Sequence, residues 1–336
     1  MNQTRSLLTL NHLSVAYRTS RGAVQAVQDL DLSVPAGRSV GLVGESGSGK
    51  STIAAAILRL LPENAAITGG SIAFNGVDLA TLSDAELNRT WRWREIAMVF
   101  QKSLAALSPV NRIHDQLNDI LRQHEPALRE AERDARLSDL LRAVHLSDRV
   151  LHSYPFELSG GMMQRTMIAL GLLCNPPFLI LDEATTALDV ITQAQILREV
   201  NRLKQEYNLT ALIISHDVGV INATTDAVAV LYAGQLMEVA PKRRFFAAPA
   251  HPYSRALIAS VPRLSGPRQR LAAIPGNLPD LLDPPPGCRF APRCPYVTPR
   301  CSTAVPPLYD LGDGQFVRCV LFESRPIAHP AEETMA

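Results

Sequence analysis

The chain has 336 residues, 33 Lys and Arg against 32 Asp and Glu, and a net charge of +1. That length holds one large or two moderate domains, and the charge balance argues against a protein that coats nucleic acid through a basic face. No apolar run approaches the roughly 20 residues needed to cross a bilayer, and Met1-Asn2-Gln3-Thr4-Arg5 lacks the apolar core of a secretory signal. The expectation is a cytosolic protein whose membrane role, if any, comes through a partner. In a reducing compartment its cysteines are poor disulfide candidates.

Taken along the chain, Ser39-Val40-Gly41-Leu42-Val43 reads as a buried strand. It feeds Gly44-Glu45-Ser46-Gly47-Ser48-Gly49-Lys50-Ser51, which fills every defined position of the phosphate loop G-x-x-x-x-G-K-[ST]. Thr52 to Leu61 reads as the following helix, closed by Pro62. The glycines let backbone N–H groups turn onto phosphate oxygens, and the helix N-terminus adds partial positive charge. Lys50 is expected to reach the β- and γ-phosphates and Ser51 to ligate Mg²⁺. A plain glycine-rich turn is the alternative, and the filled positions and correct flanks argue against it.

Leu158-Ser159-Gly160-Gly161-Met162-Met163-Gln164-Arg165 opens a helix expected to run to about Leu173. Its glycines leave backbone N–H groups available, and Ser159 adds a hydroxyl, making a second anion site of the helix-terminus kind. One γ-phosphate does not need two such sites from one chain, so the second is expected to serve a nucleotide held by a partner subunit. Phe178-Leu179-Ile180-Leu181-Asp182-Glu183 is an apolar run ending in two acids, the look of a buried parallel strand with ligands at its C-terminal end. Asp182 is expected in the Mg²⁺ shell, and Glu183 is expected to polarise the attacking water.

Composition shifts near residue 240: 17 of 24 prolines and four of five cysteines lie beyond it. Before the shift, β-branched strands alternate with amphipathic helices, an α/β pattern. After it come a short helical stretch, about Tyr253 to Ser260, and loop-rich sequence with little apolar material for a core of its own. There Cys288, Cys294, Cys301 and Cys319 follow C-x5-C-x6-C-x17-C. Four thiolates suit zinc or an iron–sulfur cluster, though zinc ribbons favour C-x2-C pairs; unligated thiols are the remaining alternative. Cys174, in an apolar stretch, reads as a packed core residue.

The ordered set resembles the ATP-binding subunits of ABC transporters, in the oligopeptide/dipeptide/nickel importer branch. Ser159-Gly160-Gly161 falls in the ABC signature. The resemblance implies a phosphate-loop α/β ATPase core with a small antiparallel β region from the N-terminus. It also implies a helical signature subdomain at about 115–173 and a cysteine-containing extension, dividing the chain into 1–240 and 241–336. It places Gln101, after the strand Ile96–Phe100, at the Q-loop as a sensor of Mg²⁺ and water. Ala187-Leu188-Asp189 looks like the D-loop, His216 like the switch histidine on the γ-phosphate, and Tyr17 sits where an aromatic stacks on adenine. His251-Pro252-Tyr253 and the Cys288–Cys294 segment resemble the branch's extension, where some members are understood to carry a [4Fe–4S] cluster.

The resemblance further implies ATP and Mg²⁺ as ligands, a related but distinct second ATPase subunit, two membrane-spanning permease subunits and an extracellular binding protein, with no nucleic acid. The chain is expected on the cytoplasmic face of the membrane. Peptide is the implied cargo; nickel, metallophores and glutathione use similar ATPases. A soluble ABC ATPase outside transport is the rival reading, but such proteins usually carry tandem cores or long coiled coils. Lys102-Ser103 after Gln101, Met163 in the signature helix and Ala184 after Glu183 depart from the branch pattern.

Overall fold

Two long strands, β1 (Ser6–Thr19) and β2 (Gly22–Pro35), open the chain as an antiparallel hairpin with several register shifts. The computed structural model describes residues 5–100, 106–185, 188–261 and 274–327. It divides into two units: one joins the chain up to Thr81 with everything from Ile214 onward, and the other runs Leu82–Ile213. The cysteine-bearing extension thus shares a unit with the N-terminal strands and the phosphate loop, a grouping that the composition shift near residue 240 does not reveal.

In the first unit, β3 (Ser39–Val43) is buried at every position, as its unbroken apolar run requires. It leads through the glycine loop into α1 (Lys50–Ile57). The helix starts two residues before the expected Thr52–Leu61 and ends about a turn earlier, at Ile57. Arg59 takes the left-handed conformation at φ 54°, and its guanidinium donates to the carbonyls of Leu79 and Ala80 at 3.3 and 2.8 Å. The chain therefore turns out of the helix before Pro62 is reached. β4 (Ala65–Phe74) and β5 (Val77–Asp78) complete a four-stranded antiparallel sheet in the order β2-β1-β4-β5. This is the small β region expected from the family resemblance.

The second unit contains α2 (Asp84–Glu86), β6 (Ile96–Val99), α3 (Ile113–His124), α4 (Glu130–Ala143), α5 (Gly160–Leu172), β7 (Phe178–Asp182), α6 (Val190–Glu206) and β8 (Thr210–Ser215). β8, β7 and β6 lie side by side in that order, and β6 runs parallel to β7 from Ile96–Phe178 to Val99–Leu181. Leu117 and Leu121 of α3 and Leu137 and Leu141 of α4 are fully buried at helical spacing. α5 comes close to β6: a Cβ on Gly171 would sit 3.0 Å from Val99. The chain returns to the first unit within the last two residues of β8.

α7 (Val218–Thr224), β9 (Ala227–Tyr232), β10 (Gln235–Pro241), α8 (Lys242–Ala247), α9 (Pro252–Ala259), β11 (Tyr309–Asp310) and β12 (Phe316–Val317) follow. β9 pairs parallel with β3, β10 pairs antiparallel with β9, and β12 and then β11 extend that edge. The extension, expected to have little apolar material for a core of its own, packs onto the strands of the first unit. Its Tyr253 and Phe290 are buried against Tyr232 of β9, with ring centroids 4.7 and 5.2 Å from the Tyr232 ring. Buried Glu238 of β10 accepts from the N–H groups of Ala250 and His251, at 2.9 and 2.8 Å, and from Gln315 at 2.9 Å. Buried Arg289 donates to the Ala233 carbonyl and to the Gln28 side chain. The extension borrows the first unit's core.

Candidate nucleotide site

The loop between β3 and α1 closes on its own lysine. Lys50, only 5% exposed, donates from Nζ to the carbonyls of Gly44 (2.8 Å) and Glu45 (2.9 Å) and to Ser48 Oγ (3.4 Å). Gly44 and Ser48 are buried, whereas Ser46, Gly47 and Ser51 face solvent. Gly49 caps α1 at φ 104°, and a Cβ there would collide with the Ala26 carbonyl oxygen, so the position admits only glycine. Gly234, in the β9–β10 turn, donates its N–H to the Ser48 carbonyl at 2.8 Å. The Tyr17 hydroxyl lies 3.2 Å from Thr52 Oγ1, which tethers a half-buried aromatic ring to the first turn of α1.

His216 directly follows β8 and is exposed. Next to it, the Asp217 N–H donates to Ser215 Oγ at 3.0 Å, and the Asp217 carboxylate caps α7 by accepting from Gly219 at 2.7 Å. The histidine therefore sits on a turn fixed from both sides.

Within the second unit, Ser159 is the N-cap of α5, and its Oγ accepts from the Met162 N–H at 3.3 Å. Ser159 and Gly160 are exposed at the start of this 13-residue helix, so its first amides face solvent with the dipole behind them. Gly161 has a packing reason that sequence reading missed: a Cβ would lie 2.9 Å from Thr192 of α6. Met163 is buried inside α5, which accounts for an apolar residue there.

Asp182 ends β7 and is buried; Glu183 follows with φ 47°, a left-handed conformation that costs a non-glycine residue about 1–2 kcal/mol. Backbone strain of this kind clusters at functional sites. Asp189 caps α6, its Oδ1 accepting from Ile191 and Thr192 N–H groups at 3.0 Å each. The hydrogen bond from Thr192, followed by those from the backbone, holds its carboxyl below the ordinary aspartate range. Val190 and Ile191, the first residues of α6, are 80% and 73% exposed. Gln101, Lys102, Ser103 and Ala187 lie outside the described residues.

Cys288, Cys301 and Cys319 are buried and Cys294 is half-buried. Burial pushes the Cys288 thiol up to about 11, and the charges of Cys319, Cys301 and Cys294 act on it in the same direction. These four are the extension's whole set of thiols. They do not form a tight set, however. Among the described residues the only group of three or more potential ligands within 4.8 Å of one another is His12, Asp29 and Asp31. One zinc ion at ~2.3 Å from each sulfur would draw the sulfurs to about 4 Å apart. An all-thiol donor set is one that zinc and an iron–sulfur cluster both accept. Cys174 is buried, and burial lifts its thiol to about 11, as expected of an inert core residue.

Two contacts to the phosphate loop were not foreseen. Tyr253 and Arg293, both from the extension, bind Glu45. The only sequence signal for them was their place in the two extension segments already noted.

Among the described residues no helix is long and apolar enough to cross a membrane. A strand–loop–helix folded around its own lysine, together with a serine-capped, glycine-led helix, defines a phosphate-loop ATPase of the ABC cassette class. Residues 27–186 match the family described as ABC transporter, and residues 237–301 match the oligopeptide/dipeptide transporter C-terminal region. The oligopeptide transport ATP-binding protein OppD of Salmonella typhimurium is 44% identical over 315 residues, covering 93% of both chains. The oligopeptide transport ATP-binding protein AppD of Bacillus subtilis is 40% identical over 321 residues, covering 95% of this chain and 97% of the relative. The dimeric structure of a bacterial ABC transporter cassette superposes with a TM-score of 0.63 at 27% identity, covering 70% of this chain and 99% of that one. The chain belongs to the ABC transporter ATP-binding proteins, in the branch that carries the oligopeptide-type C-terminal region.

Proposed function

We propose that this chain is the ATP-hydrolysing subunit of a peptide importer, held peripherally at the cytoplasmic face of the membrane by permease subunits. The peptide assignment rests on the oligopeptide relatives and on the match of the extension to their C-terminal region. The observation that carries the mechanism is the exposed, serine-capped start of α5. A triphosphate gripped by Lys50 has its own loop; a second helix-terminus anion site suits a nucleotide held by another subunit. The subunits then face each other head to tail, with ATP between them, and hydrolysis removes the bridge. Closing and opening become a ligand-driven population shift between two arrangements.

In this reading residues 1–240 are the ATPase cassette and 241–336 the extension. Tyr17 stacks on adenine, and residues 44–52 wrap the phosphates. Ser51, Gln101 and Asp182 offer the hard oxygen donors that suit Mg²⁺. Glu183 orients and polarises the attacking water, His216 contacts the γ-phosphate, and Ser159, Gly160, Gly161 and Asp189 serve the opposed subunit's nucleotide. A related but distinct ATPase completes the pair, with two permease subunits and an extracellular binding protein. Co-expression with tagged peptide-permease subunits tests this. The chain is expected to co-purify with them in detergent, and peptide-loaded binding protein is expected to raise its ATPase rate. A chain that stays in the soluble fraction and hydrolyses ATP indifferently to permease would end the importer reading.

We also propose that Cys288, Cys294, Cys301 and Cys319 hold a [4Fe–4S] cluster. Bound there, the cluster would supply thiolate cross-links between loops that lack regular structure. Purification without oxygen is expected to give iron and sulfide together with a broad visible absorption, and Cys301→Ser is expected to lose iron and to melt at lower temperature. A colourless, iron-free wild-type chain that is folded and active would reject the assignment.

A further inference from the structure

Glu45 is the second residue of the phosphate loop; its N–H, its carbonyl and one carboxylate oxygen are held, while Oε1 is buried with no hydrogen-bond partner. Its carbonyl accepts from Lys50 Nζ at 2.9 Å. Its backbone N–H donates to the Tyr253 hydroxyl at 2.9 Å. Its carboxylate Oε2 pairs with Arg293 Nη1 at 3.0 Å. Tyr253 and Arg293 both belong to the extension, more than 200 residues further along the chain.

Arg293 is built in rather than draped over the surface. Its side chain is 5% exposed. Nε donates to the Pro275 carbonyl at 2.7 Å, Nη2 to the Ile274 carbonyl at 3.1 Å, and Nη1 also to the Tyr232 hydroxyl at 3.2 Å. The same segment passes the exposed tip of the loop, where Leu278 lies 3.6 Å from the position of a Gly47 Cβ.

The charge at this point matters more than the packing. A carboxylate on a loop that receives a triphosphate repels it, and the repulsion is strongest where water is excluded. A guanidinium in hydrogen-bond contact cancels that charge and turns the carboxylate toward the extension. Every anchor of Arg293 other than Glu45 lies on the extension or at the end of β9, so the loop's electrostatics depend on a part of the chain outside the ATPase motifs.

We propose that Arg293 is a positioning residue for nucleotide binding. It neutralises Glu45 and, with Tyr253, fixes the entry of the phosphate loop, so that the cysteine-bearing extension sets the chain's own affinity for ATP. The proposal rests on the ATPase reading above and goes beyond it by assigning a role in cis to the extension.

The test is nucleotide titration and steady-state kinetics on the full chain. Arg293→Ala is expected to raise both the ATP Kd and KM about tenfold while kcat stays within about twofold. Glu45→Gln, which removes the repelling charge and leaves the guanidinium uncompensated, is expected to bind ATP more tightly than wild type, by up to about threefold. In the Glu45→Gln background, Arg293→Ala is expected to cost less than about threefold, because the two residues act as one unit. A folded Arg293→Ala with wild-type affinity overturns the proposal. So does a double variant as weak as Arg293→Ala alone, which marks the arginine as a structural tether. If Arg293→Ala does not fold, Arg293→Lys takes its place: it keeps the charge and loses the planar fork, and affinity within about threefold of wild type is expected. A folded Arg293→Lys that binds about tenfold more weakly rejects charge neutralisation. A wild-type chain that binds no nucleotide fails the ATPase reading itself, a result distinct from all of these.

Discussion

Replacing Glu183 by glutamine is expected to lower ATP turnover by about a hundred- to ten-thousandfold, the usual loss when a general base is removed. ATP binding is expected to stay within about threefold of wild type, since the substitution conserves shape and touches none of the loop contacts made by Lys50. The structure gives the residue a second mark beyond its place after a buried strand. Glu183 holds φ 47° immediately after β7, a conformation glycine or asparagine would adopt at less cost. Glutamine inherits the same backbone strain, so any change in rate reports on the carboxylate rather than on relaxation of the turn. With the base gone, bound ATP persists, and the ATP-joined arrangement of subunits is expected to accumulate. The checks are phosphate release under saturating Mg·ATP and light scattering or gel filtration with and without ATP. Turnover near that of wild type would remove Glu183 from the mechanism.

How much of this was legible from the residues varies with physical cause. β3 and β7 were readable because strands buried on both faces are continuous apolar runs, and here each is buried throughout. The phosphate loop was readable because backbone geometry leaves few residue choices, as Gly49 shows with its left-handed φ and its close approach to Ala26. The end of α1 was not, because Arg59 takes a left-handed conformation under the pull of the Leu79 and Ala80 carbonyls, a tertiary cause. β11 and β12 are two residues each and carry no period to detect. The second duty of Asp189 as a helix cap could have been read from an Asp immediately before an amphipathic stretch. The hold of Arg293 and Tyr253 on Glu45 had no such signal, since it joins residues more than 200 apart whose only shared feature is three-dimensional.

Lys50→Ala is expected to weaken ATP binding by a hundredfold or more, on the order of 3 kcal/mol, because charge-assisted hydrogen bonds to phosphate are among the strongest a side chain makes. The structure adds a consequence that a purely ligand-facing lysine would not have. Nζ donates to the Gly44 and Glu45 carbonyls and to Ser48 Oγ within the loop, and the residue is nearly buried. Alanine removes this donor from the Gly44 carbonyl and Ser48 Oγ, leaves the Glu45 carbonyl only the Ser48 N–H at 3.2 Å, and opens space beneath the loop, so the chain without nucleotide should itself lose about 2 kcal/mol. Ser51→Ala separates the two effects. Ser51 is exposed at the start of α1, so its loss is expected to impair Mg²⁺-dependent binding while leaving the nucleotide-free melting temperature within about 1 °C of wild type. Calorimetric titration with ATP, with and without Mg²⁺, and thermal melts of all three proteins measure both quantities. If Lys50→Ala binds ATP like wild type, the loop does not grip phosphate through this lysine. If it binds poorly but melts like wild type, the internal hydrogen bonds contribute nothing to the loop, and the lysine acts on the ligand alone.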